Sequence, residues 1–146
     1  MAQVTGDVLC RKIVEEVPDA IVFADREGII RVWNAGAEAM FGYRAADAVG
    51  RSLDLIIPEK MRDRHWEGYR KVMDTGITKY GKEMLSVPGL RKDGSRISLE
   101  FSVAMIRGED GSLEGIAAVM RDVTARWLKE QEMKKRLASI EPRPGS

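Results

Sequence analysis

The sequence predicts an α+β domain: a five-stranded antiparallel sheet with short helices on one face and a further helix at each end. Three observations lead there. Two β-rich runs, Ala20–Ala24 and Ile29–Trp33, flank Asp25-Arg26-Glu27-Gly28, a hairpin signal in which Gly28 supplies permissive backbone. From residue 96 to 105, Ile97, Leu99, Phe101, Val103 and Met105 alternate with Arg96, Ser98, Glu100 and Ser102, the period of a strand with one buried face. The run Leu113–Val123 contains IAAVM and is apolar on both faces, which suits a central strand.

The other elements follow in chain order. Leu9, Ile13 and Val17 make one stripe on a helix over Asp7–Val17, and Pro18-Asp19 ends it. After the hairpin, Asn34 can cap a helix over Ala35–Phe41 that Gly42 stops. Ala45–Val49 and Ser52–Ile57 are single turns across the core, punctuated by Gly50 and Pro58. A longer helix runs from Met61 to Asp74 and Gly76 closes it. Lys79–Val87 reads as the third strand. Lys92-Asp93-Gly94 and Glu109-Asp110-Gly111 are tight turns around the fourth. A last helix spans Thr124 to Ile140, and EPRPGS reads as a disordered tail. The expected division is an N-terminal helix in 1–17, a domain over 18–123, a C-terminal helix over 124–140 and a tail in 141–146.

The chain has 146 residues, enough for one compact core. A net charge of +1 gives no electrostatic case for nucleic acid or an anionic membrane. No apolar run approaches the roughly 20 residues of a spanning helix, and MAQVTGDVLCRK does not read as a signal peptide. Cys10 is the single cysteine, so no internal disulfide forms, and a cytoplasmic protein is the expectation.

His65 is the single histidine, in MRDRHWEGYRKVM. Met61, His65, Tyr69 and Val72 share one helix face, widened by Trp66 and Met73, while most of the charges lie elsewhere. His65 therefore belongs to the apolar face. Gly68 leaves a gap beside it for a flat ring. A neutral imidazole on an apolar wall can be an iron ligand. It can also be a core residue bonded to a carbonyl.

The stretch DREGIIRVWNAGAEAMFGYRAADAVGRSL, with RKDGSRISLEFS and the closing RDVTARW, resembles the PAS sensor family from about residue 17 to 127. The resemblance implies the fold already read from periodicity, and a sensor in place of an enzyme. Catalysis is also poorly supported by the residues: one histidine and one cysteine serve the whole chain, and no phosphate-binding glycine loop is present. Light-sensing members carry a cysteine in a G-R-N-C motif. Gly50-Arg51-Ser52-Leu53 stands there, so a cysteinyl-flavin adduct is excluded at that position.

Haem-PAS sensors of the phosphodiesterase-linked type carry a proximal histidine early in this helix. The span from His65 to Lys92-Asp93-Gly94 matches theirs without a gap. The resemblance thus implies b-type haem (haem b) with His65 as axial ligand, and Tyr69, Leu85, Val87, Leu99 and Phe101 as cofactor-binding residues. The rhizobial kinases place their ligand later, near Gly76 here, and that arrangement is absent. Where the phosphodiesterase-linked sensors have a methionine sixth ligand, the register puts Glu83, with Met84 next to it as candidate. Where they have an oxygen-stabilising arginine stands Leu85. A distal wall without a charged donor suits CO, NO or a redox-linked ligand change better than a stable oxy complex. The alternatives are a small organic ligand or non-covalent flavin, or a ligand-free dimerisation module. Output is expected through a homodimer of the terminal helices and an unidentified signalling partner, with Asp122-Val123-Thr124 as the transmission point.

Overall fold

A computed structural model describes residues 5–78 and 84–140. Strands β1 (Ala20–Asp25), β2 (Ile30–Trp33), β3 (Leu85–Leu90), β4 (Arg96–Arg107) and β5 (Leu113–Asp122) form one sheet in the order β2-β1-β5-β4-β3, every neighbouring pair antiparallel. The strand with no polar face, β5, lies in the middle, as its composition requires. Helices α1 (Gly6–Glu16), α2 (Ala35–Phe41), α3 (Ala45–Ala48), α4 (Arg62–Thr75) and α5 (Thr124–Ile140) complete the described chain, with 3₁₀ turns at Leu53–Ile56 and Glu59–Met61.

The α+β class, the five strands and the helices at both ends are as the sequence implies. One element is displaced. The expected strand Lys79–Val87 begins at Leu85 and continues to Leu90, through Pro88-Gly89. Residues 79–83 lie outside the described residues, as does the tail 141–146. Pro88 would break an interior strand, but β3 is an edge, where one side needs no amide donor. At Gly89 a Cβ would stand 2.6 Å from Leu99 Cδ1, so only glycine lets the Leu99 side chain close over β3.

The core lies between the sheet and the short helices. Val22, Ile30, Ile97 and Phe41 are the largest fully buried side chains. Asn34 is the one buried polar side chain among the described residues, and it is fully used. Its Oδ1 accepts from the Ile21 and Ala37 amides at 2.8 and 2.9 Å, and Nδ2 donates to the carbonyls of Val14, Asp19 and Val17. One amide thus caps α2, continues the edge of β1 and ties down the end of α1.

Candidate functional site

The helix α4 is held over the open end of the sheet by its aromatic residues. Trp66 Nε1 donates to Asp54 Oδ1 at 2.7 Å, and its ring lies on Gly28, where a Cβ would meet the indole at 2.1 Å. Gly28 also has a positive φ of 78°, so the hairpin turn and the indole both require glycine. The Tyr69 hydroxyl donates to the Asp25 carbonyl at 2.5 Å, with the Ala24 carbonyl at 3.2 Å. Tyr69 and Met73 bury against Ala24 and Leu113. The expected apolar face therefore forms, and the Tyr69 hydroxyl anchors the helix to β1.

His65 is half-buried beside these rings, its centroid 4.7 Å from Trp66 and 5.7 Å from Tyr69. Its Nδ1 is buried and is the one such side-chain nitrogen or oxygen atom without a hydrogen-bond partner among the described residues. Burial pushes its pKa below the ordinary 6.5, partly opposed by the Asp54 carboxylate, so the neutral imidazole is favoured. Gly68 is exposed and a Cβ there would meet nothing, so the expected gap faces solvent.

The four sheet residues of the expected wall come together. Leu85 pairs with Phe101 and Val87 with Leu99 across β3 and β4, which puts all four on the inner face. Leu99 is part of the core. Leu85, Val87 and Phe101, followed along β4 by Val103 and Met105, are only half-buried, so the inner face is incompletely covered there. Met84 stands one residue before β3 and is 56% exposed, apart from this wall. Glu83 lies outside the described residues. At the G-R-N-C position, Ser52 Oγ accepts from the Asp54 amide and Leu53 packs against both parts of the core.

A cleft of about 420 Å³ opens beside Trp66, lined by Arg26, Glu27, Ser52, Trp66, Tyr69 and Arg70. Sequence reasoning missed Asp54 and Arg26 here. Asp54 carries no periodic signal, and Arg26 reads only as a hairpin residue. Among the described residues no helix is long and apolar enough to cross a membrane.

A family model described as the PAS fold matches residues 9–123. The chain belongs to the PAS family. This PAS chain is 28% identical over 140 residues to the sensor protein FixL of Bradyrhizobium diazoefficiens, covering 94% of the chain and 26% of FixL. It is 23% identical over 112 residues to the oxygen sensor protein DosP of Escherichia coli, covering 77% of the chain and 14% of DosP. Among solved structures, a PAS domain from Colwellia psychrerythraea superposes with a TM-score of 0.69 at 26% identity, covering 80% of this chain and 96% of that one. The chain spans about a quarter of FixL and less of DosP, so what those whole proteins do extends beyond the matched segment. A PAS sensing and signalling domain is the activity that the family match carries.

Proposed function

We propose that this PAS domain binds b-type haem through His65 and reports a diatomic gas or a redox change. The observation that carries the reading is the buried, unpartnered Nδ1 of a neutral histidine on α4. An orphaned buried nitrogen is costly unless a partner reaches that same nitrogen. A metal bond at Nδ1 would be such a partner.

The residues fit the group in three respects. The imidazole is kept neutral by burial, as a ligand must be. The half-covered inner face of Leu85, Val87 and Phe101, with Leu99 behind it, is apolar and suits a flat macrocycle. Trp66 and Tyr69 hold the helix that carries His65 through bonds to Asp54 and to the β1 carbonyls. When bound, the iron would supply reversible coordination of a small molecule or one-electron redox chemistry. Leu85, Val87, Leu99 and Phe101 then exclude water and offer no charged donor, which favours CO or NO over a stable oxygen complex. Met84 as sixth ligand would need its exposed segment to turn inward.

The test is an absorption spectrum of the purified chain titrated with haemin. A Soret band at one equivalent, lost or shifted in His65→Ala, supports the reading. No band, or a band indifferent to His65→Ala, sinks it. His65→Ala supplied with free imidazole provides the rescue control.

Output is proposed to pass through a homodimer of the terminal helices. Leu9 and Ile13 on α1 and Trp127, Leu128, Met133 and Leu137 on α5 are all exposed. The outer sheet face adds Val32, Ile106 and Val119. These surfaces make the ligand-free dimerisation module the second reading.

A further inference from the structure

The last carbonyls of a helix need donors from elsewhere. In α4 the Gly76 cap amide serves the Val72 carbonyl at 2.7 Å, and the helix carries no basic residue in its last turn to serve those that follow. Two arginines reach in from other elements. Arg26, in the β1–β2 turn, donates through Nη2 to the Met73 carbonyl at 3.3 Å and through Nη1 to the Leu113 carbonyl at 2.9 Å. Arg107, the last residue of β4, donates through Nη2 to the Gly76 carbonyl at 2.9 Å and through Nη1 to the Gly111 carbonyl at 3.2 Å. Each guanidinium therefore bridges the end of α4 to the β4–β5 hairpin. The geometry is doubled: two forks, each with one prong on the helix end and one on residues 111–113.

Charge alone does not explain this arrangement. A cation near a helix C-terminus is favourable wherever it points. Here each arginine spends its second prong on a hairpin carbonyl, which does nothing for the helix dipole. A planar fork can span two acceptors at once, and a lysine ammonium lacks that fixed geometry. Gly76 belongs to the same device. Its φ of 70° ends the helix, and a Cβ there would stand 3.2 Å from Arg107 Nη2.

We infer that Arg26 and Arg107 form a double clamp that couples the position of α4 to the β4–β5 hairpin, so that binding at His65 is felt at the start of β5. Both are positioning residues. The route onward is covalent: β5 runs from Leu113 to Asp122, and α5 begins at Thr124. The hairpin end is suited to respond, because the β4–β5 register shifts between Ile106 and Arg107. The ligand arm of this inference rests on the haem reading above; the mechanical coupling does not.

Amide hydrogen exchange of the full chain, without and with haemin, separates the two. Arg26→Gln/Arg107→Gln without haemin is expected to exchange faster in both 70–76 and 108–114, on the order of tenfold, with β1 and β2 unchanged. Arg26→Lys/Arg107→Lys keeps the charge and is expected to protect 70–76 better than the glutamine pair while leaving 108–114 equally fast. With haemin, the unaltered chain should gain protection in 62–76 and 108–114 together, and both double variants in 62–76 alone. Unchanged exchange in 108–114 of the haemin-free variants overturns the clamp, as does full restoration of both segments by lysine. If no Soret band forms, the His65 reading fails and the haemin-free comparison still decides the clamp. If a double variant does not fold, Arg107→Gln alone carries the same comparison.

Discussion

Two side chains on α4 show how one helix face divides its labour. Tyr69 has a single hydroxyl proton shared by the carbonyls of Asp25 and Ala24. Burial, together with the nearby Asp25 and Glu27 carboxylates, pushes its pKa far above the usual value, so it stays a donor. Tyr69→Phe removes that donor and leaves the shape. We expect a loss of about 1–2 kcal/mol, read as a lower denaturant midpoint at unchanged slope. His65 behaves oppositely. Its pKa is depressed in the folded state by burial, so the unfolded chain takes up a proton first as pH falls below 6.5. In the haem-free protein His65 therefore costs no stability above that pH and costs progressively more below it, until the folded form also protonates. Thermal melts at about pH 7.5 and about pH 5.5 should differ in the unaltered chain and differ less in His65→Gln. A difference of the same size in both would remove His65 as its source. The lowered carboxylates Asp25 and Asp122 act at more acidic pH, since their folded values lie below 3.8.

At the scale of elements, Asn34 joins three pieces that the chain would otherwise leave separate: the end of α1, the start of β1 and the N-terminus of α2. Asn34→Ala removes a helix cap and strands the Ile21 amide and the Val14 carbonyl. A cost of about 3 kcal/mol follows, and hydrogen exchange should rise in α1 and α2 before the sheet. Equal loosening of all elements would contradict the local role. The capping of α2 is legible in the sequence, because Asn before an alanine-rich run is a local signal. Its bonds to α1 are not, since they depend on where a distant helix lies. The third strand illustrates the same limit. The expected strand stops at Val87, yet β3 runs on through Pro88-Gly89 because an edge needs fewer donors and Leu99 fills the space over Gly89.

For the whole molecule, the exposed faces of α1 and α5 and the outer sheet face lead to a prediction about association. Light scattering should show a concentration-dependent dimer for the unaltered chain. It should show a monomer for Leu9→Glu/Ile13→Glu, and a weakened dimer for the chain without residues 124–146. An association constant unmoved by all of these changes would exclude the terminal helices as the interface. Alternation and turn residues determined, by themselves, the number of strands, the places of all but the third, the antiparallel meander from β3 to β5 and the central place of β5, because these follow from local period and from which faces are apolar. The helical period also placed His65 on the inner face of its helix. Only the tertiary structure decided that the Tyr69 hydroxyl anchors α4 to β1, that Nδ1 of His65 has no partner, and that Arg26 and Arg107 bridge α4 to the hairpin. Each of these joins groups far apart in the chain, and hydrogen bonds of that kind have no period to read: they exist only once the strands have brought their partners within reach.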